Sequence, residues 1–196
     1  VADSSNQVIE SDESNNTLTQ NLPEISSPDL TVTNISQQPA NPQDGEAVNL
    51  TATVQNIGAG ATVSTLHIDF KIDGVSIGKQ NLNGGLPAGA TANVTQSWTA
   101  TPGTHTVEVT VDYDQQVPES DETNNSLSKT LPIIPYPDVT VDQVIWNPQT
   151  IVAGKIVNFT ANVTNVGSGG TKRSFLVRFN LDGNLIGERA LNGLAA

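Results

Sequence analysis

Apolar and polar residues alternate along several stretches of this chain. Val48, Leu50, Ala52 and Val54 interleave with Asn49, Thr51, Thr53 and Gln55, and Leu66, Ile68, Phe70 and Ile72 with His67, Asp69 and Lys71. Val107, Val109, Val111 and Tyr113 do the same with Glu108, Thr110 and Asp112. A period of two puts one face of each stretch on a core and the other in water, the pattern of half-buried antiparallel strands. Asp73-Gly74 supplies residues that tolerate φ > 0, as a tight hairpin needs, and Thr101-Pro102-Gly103 reads as another turn. The punctuated pattern predicts strands over about 29–36, 46–56, 63–73, 75–82, 90–98, 104–114 and 124–131. Seven short strands with turns between them predict two packed antiparallel sheets.

The pattern then starts again. Glu10-Ser-Asp-Glu-Ser-Asn-Asn-Thr-Leu18 recurs as Glu119-Ser-Asp-Glu-Thr-Asn-Asn-Ser-Leu127, an offset of 109 residues. The same offset carries Pro28-Asp-Leu-Thr-Val32 onto Pro137-Asp-Val-Thr-Val141, and Val54-Gln-Asn-Ile-Gly-Ala-Gly60 onto Val163-Thr-Asn-Val-Gly-Ser-Gly169. Constant spacing is the signature of a tandem array. Residues 1–27 read as the tail of one unit, 28–136 as a complete unit, and 137–196 as the first part of a third. The fold class expected is therefore all-β, a series of immunoglobulin-like seven-stranded sandwiches. The proline-bearing stretches Leu22–Pro28 and Pro132–Pro137 would join them with little freedom to bend.

Composition narrows the function more than the fold. The chain has no cysteine, which rules out disulfides and thiolate metal sites. Its formal charge of −12 makes nucleic acid an unsuitable partner and favours solvation or cations. No stretch approaches the ~20 apolar residues that span a bilayer, so no membrane insertion is expected within these residues. With two histidines, one of which (His67) has leucine at the matching position of the next unit, the chain offers no triad and no histidine metal pair. No enzyme activity is expected.

The residues quoted for the repeat, together with Asp73-Gly74 and the closing Val117-Pro-Glu-Ser-Asp-Glu-Thr-Asn-Asn125, resemble the CARDB family, cell-adhesion-related domains of bacterial and archaeal surface proteins. The resemblance spans the complete unit and both partial ones. It implies an immunoglobulin-like fold, an extracellular or cell-surface location, and a structural or adhesive role.

Among candidate sites, the acidic turn carries the most chemistry. Asp112, Asp114, Glu119, Asp121 and Glu122 crowd the connection between the last two strands. The topology of a seven-stranded sandwich brings that connection close to Asp29 at the start of the first strand. Such carboxylates repel one another unless solvation or a cation intervenes, and Ca²⁺ prefers this all-oxygen donor type. The six acids are thus candidate Ca²⁺ ligands that could stiffen the entry to the unit. The spacing is not that of an EF-hand, and a solvated hairpin with Asn124 and Asn125 bonding local backbone groups is the competing reading. Asn34, Asn49, Asn93, Asn158 and Asn162 head N-x-Ser/Thr sequons and are glycosylation candidates; Asn15 and Asn124 head two more. Trp98 shares the phase of Ala92 and Val94 and is expected in the core. Trp146, where the complete unit has Gln37, is expected at an exposed or inter-unit contact, and His67 on an exposed strand face.

Two functional expectations follow. The first is a rod or extracellular filament of serial domains at a prokaryotic cell surface, whose partners are neighbouring copies of the same repeat. The third unit, ending before its last three strands, would be covered by a neighbour's tail or by further chain. The second is an accessory carbohydrate- or cell-binding module, with cell-surface glycans as partners. The first predicts close contact between units, the second exposed aromatics on one face of each unit.

Overall fold

The computed structural model describes residues 1–196 and contains strands and turns only. The complete unit holds seven strands: β1 Leu30–Gln38, β2 Ala47–Asn56, β3 Leu66–Ile72, β4 Val75–Leu82, β5 Thr91–Thr99, β6 Thr106–Val111 and β7 Ser126–Thr130. They form a three-stranded sheet in the order β1-β2-β5 and a four-stranded sheet in the order β4-β3-β6-β7, with every pairing antiparallel. This is the expected sandwich. β3, β6 and β7 are shorter at both ends than the pattern suggested. β6, for example, stops at Val111 because Asp112 takes φ = 48° and turns the chain out of the sheet.

The alternation is realised as predicted. Val48, Leu50, Ala52 and Val54 of β2 are all fully buried, as are Val107, Val109 and Val111 of β6 beside Leu66, Ile68 and Phe70 of β3 in the other sheet. Each such valine, leucine, isoleucine or phenylalanine contributes roughly 1.5–3 kcal/mol by leaving water. β1 departs from simple alternation. A bulge between Val32 and Asn34 shifts its phase, so Leu30 and Val32 before it and Ile35 after it all face the core. Trp98 is half-buried against the core and meets His105 edge-on, with ring centroids 5.1 Å apart.

The following unit has β8 Val139–Asn147 paired with β9 Asn158–Asn165, and β10 Thr171–Leu181 paired with β11 Asn184–Leu194. Its bulge lies between Val141 and Gln143, one repeat period after that of β1. The two hairpins are separated by an open apolar cleft of about 230 Å³, lined by Val141, Val144, Phe159, Val177, Phe179 and Ile186. These positions correspond to the sandwich interior. Trp146 belongs with them: past the bulge it follows Val144 in phase and pairs with Phe159. Trp146 is exposed, as expected, at 41%, but the phase shift puts it on the core-facing side of its strand and not on the outer one. His67 is half-buried rather than exposed, held by a hydrogen bond described below.

The connection after β7 does not hang free. Ile134 is 1% exposed and pairs with Gly103 through two backbone bonds, Gly103 N–H to Ile134 O at 2.8 Å and Ile134 N–H to Gly103 O at 3.0 Å. Half of the predicted linker is therefore an extra stitch of the sandwich.

Candidate functional site

The acidic turn is built from Asp112 outward. Its carboxylate accepts the amides of Gln116 (3.1 Å) and Val117 (3.0 Å), which closes the loop, and Val117 plugs into the core. The chain then returns to the sandwich edge. There Glu119 accepts the backbone N–H of Leu30, first residue of β1, and the side-chain amide of Asn125 at 2.9 Å. Glu122 in turn accepts the amide of Glu119 at 2.9 Å. The result brings carboxylate oxygens of Asp112, Glu119 and Glu122 within 4.8 Å of one another. Burial of Glu119 is the main cause that pushes its pKa up to about 7; the Leu30 and Asn125 hydrogen bonds work against this, while the neighbouring Glu122 and Asp112 charges add to it.

The other three acids are placed differently. Asp114 turns away to His67, whose Nδ1 lies 2.7 Å from its Oδ2. Asp121 is exposed and receives the amide and hydroxyl of Thr123 at 2.9 and 2.6 Å, which hold it below the usual carboxylate range. Asp29 accepts Asn124 Nδ2 at 2.8 Å and Ser120 Oγ at 3.2 Å, tying the turn to the entry of the unit without joining the three-acid cluster. The sequon residues Asn34, Asn49 and Asn93 are exposed on the three-stranded sheet, and Asn158 and Asn162 on β9, the counterpart of β2.

The donor set suits a hard cation. It is all oxygen, and the buried Oδ1 atoms of Asn124 and Asn125 in the same turn have no hydrogen-bond partner. A cation bound at the three acids would displace to solvent the proton that Glu119 otherwise holds near neutral pH.

A second constellation was visible in the sequence only as a repeat signature. Asn56, fully buried, accepts the amides of Asp29 and Gly58 (both 3.1 Å) and donates to the carbonyls of Gly60 (2.8 Å) and Leu86 (2.9 Å). A Cβ on Gly60 would lie 2.2 Å from Ser26 O, so the entering chain can pass only over glycine. Asn165 repeats the clamp, accepting from Asp138 (2.8 Å) and Gly167 (3.1 Å) and donating to Gly169 (2.7 Å). There Gly169 meets Pro135 O, 2.1 Å from where its Cβ would be. The Asn-x-Gly-x-Gly run is thus the device that fastens each inter-unit segment to the unit it enters.

Fold and site together define a tandem-repeat protein of immunoglobulin-like sandwiches whose connections are stitched to both neighbours. The family model for CARDB matches residues 27–129 and 136–196, and the chain belongs to that family. A search of curated proteins finds no match. Among solved structures, the chain is similar to the CARDB domain of a Pyrococcus furiosus protein crystallised in complex with di-metal ions: 24% identity, TM-score 0.50, covering 57% of this chain and 98% of that one. It is also similar to a domain of a candidate cell surface protein of Methanosarcina acetivorans, at 26% identity and TM-score 0.48, covering 55% and 93%. No helix is long and apolar enough to cross a membrane.

Proposed function

We propose that this chain is a structural spacer: serial CARDB sandwiches forming a rod or filament at a prokaryotic cell surface, without catalytic activity. The observation that supports it most is the fastening of the inter-unit segment at both ends. Ile134 pairs with Gly103 of the unit it leaves, and two residues later Tyr136 O accepts the amide of Gly169 in the next unit at 3.1 Å. So short a path between anchors suits the transmission of force or length and leaves little freedom for independent ligand search. The carbohydrate-module alternative gains nothing from Trp146, which lies on the inward phase. The five strand sequons all fall on the β1-β2-β5 sheet or its counterpart, so glycans attached there would coat one side of the rod and leave the other for neighbouring copies.

The acidic turn is read as a Ca²⁺ site at the entry of the unit, in line with the di-metal complex of the Pyrococcus domain. The ion would be held by Asp112, Glu119 and Glu122, with Asp29, Asp114 and Asp121 outside the cluster. Electron microscopy of the native material, combined with the intact mass of the parent chain, tests the main reading. Filaments or a very long parent chain carrying many units are expected. Dispersed short monomers that bind glycan arrays would overturn it in favour of the binding module. Isothermal titration with Ca²⁺ tests the second point, and no heat above that of the Glu119→Gln variant would remove the ion from it.

A further inference from the structure

We infer that the complete unit carries, on its exit pole, a receptor for the unit that follows, and that this receptor makes the two sandwiches move as one body. The receptor is Asp44, in the β1–β2 connection. Its side chain is only 7% exposed although no strand of its own sheets covers it; the following unit does. Arg173 Nε donates to Asp44 Oδ1 at 2.7 Å and Thr171 Oγ1 to Oδ2 at 2.9 Å, while the Lys172 amide donates to the Asp44 carbonyl at 2.7 Å. Thr171 is 6% exposed, and Asp44 pairs with it as an isolated parallel bridge. Both oxygens of a nearly buried carboxylate are thereby satisfied from the other unit, one of them by a charge-assisted bond.

Both sides of the contact are bonded to their own units. The Asp44 loop is held to its own sandwich by Gly45 N–H to Ala100 O (2.9 Å) and Ala100 N–H to Glu46 O (2.8 Å). The donors open β10: Thr171 pairs with Leu194, and Lys172 and Arg173 lie in the irregularity before Ser174, where the Arg173 amide donates to Thr171 Oγ1 at 3.0 Å. The surfaces also meet closely. A Cβ on Gly45, which has φ = +78°, would lie 2.8 Å from Arg173 Cγ, and one on Gly170 would lie 3.1 Å from the Gln43 side chain.

The contact belongs to this pair of units and not to the repeat. One period on, Asp44 is replaced by Ala153; one period back, Gly170, Lys172 and Arg173 are replaced by Ala61, Val63 and Ser64. A unit with the Asp44-Gly45 loop accepts a follower with Gly-Thr-x-Arg at the start of its third strand, whereas each neighbouring joint lacks one half, the donors before and the carboxylate after. This particular latch can therefore form at the joint between these two units and not at the joint on either side. The inference concerns two adjacent units and stands whether or not arrays assemble into rods.

Because the chain has no cysteine, Asn93→Cys and Asn184→Cys place one spin label on each unit without interference. Double electron–electron resonance on the whole chain should give one narrow distance distribution. Arg173→Ala should at least double its width, and Arg173→Lys, keeping charge but losing the planar Nε donor, should fall between. Arg173 is half exposed, so its truncation leaves the complete unit's core intact, and an unchanged thermal melt of that unit verifies this. A broad wild-type distribution, or an Arg173→Ala distribution as narrow as the wild type's, overturns the inference.

Discussion

The acidic turn occurs twice in the chain, once docked on a sandwich and once at the amino-terminal end with no strand beneath it, and the two copies share their local bonds. Ala2 N–H reaches Asn16 O at 2.8 Å where Val111 reaches Asn125 at 3.0 Å. Gln7 donates to Asp3 at 2.9 Å where Gln116 donates to Asp112 at 3.1 Å, and Glu10 to Glu13 and Glu119 to Glu122 both at 2.9 Å. Asp3 and Asp112 both take positive φ, 37° and 48°. What differs is everything made with distant residues. Val8 is 60% exposed and Val117 6%; Glu119 caps Leu30; and only the docked copy brings three carboxylates within 4.8 Å. The shape of the turn is thus encoded locally, and its chemistry is acquired by docking.

The sharpest way to break this comparison is to remove the residue that serves the local shape in both copies but is buried in only one. Asp112 is 2% exposed, and Asp112→Ala leaves the amides of Gln116 and Val117 without an acceptor, Val117 in a buried setting. Urea denaturation should show a loss of about 3 kcal/mol from the complete unit, given ~1–3 kcal/mol per buried unsatisfied group. Asp3→Ala should change that unit's stability by less than about 0.5 kcal/mol. Next in size is Glu119→Ala, which orphans the fully buried Leu30 amide and should cost about 2 kcal/mol. Glu10→Ala should leave the same transition where it is.

A smaller effect separates the copies by pH. Glu119 in the folded state titrates near 7, above its ordinary value of 4.5, so between those values the folded protein holds a proton that the unfolded chain has released. Its contribution is complete below about pH 4.5 and is lost as pH rises through 7. In chelator, the melting temperature of the complete unit should fall across that window, and Glu119→Gln should flatten the slope. Added Ca²⁺ should flatten it as well, by supplying the positive charge that the proton supplied. A slope that Glu119→Gln leaves untouched would place the proton elsewhere.

How far these features could be read in the sequence depends on how local their causes are. β2, β3 and β6 follow from alternation because each is one regular strand with one buried face. The period itself follows from self-comparison of the sequence. The inward turn of Trp146 does not, since it depends on a one-residue bulge after Val141 that reverses the phase of the strand's second half. The acids of the turn were visible as a group, yet their sorting depends on partners far along the chain: His67 draws off Asp114 across 47 residues, and Leu30 claims Glu119 across 89. The Asn56 clamp was visible as a motif but without its meaning, because two of its four partners, Asp29 and Leu86, become neighbours only when the preceding segment arrives and the unit closes. Asp44 gave no signal at all. A contact present at one joint only is invisible to self-comparison.

The smallest expected effect is at Asp12 and Asp121. Each is exposed, and each is held below the usual carboxylate range by the hydroxyl and amide of the residue two places on, Ser14 and Thr123. A lowered pKa contributes stability that is present above the ordinary value of 3.8 and lost as pH falls below it, a window well clear of that of Glu119. Because both acceptor bonds close within the turn, Asp12→Asn and Asp121→Asn, which keep one carbonyl oxygen, should move the amide resonances of Ser14 and Thr123 alike and leave the sandwich melt unchanged. A melt shifted by Asp121→Asn alone would show that the local bonds and the docked contacts are one cooperative unit, and that the free copy resembles the docked one in geometry without sharing its energetics.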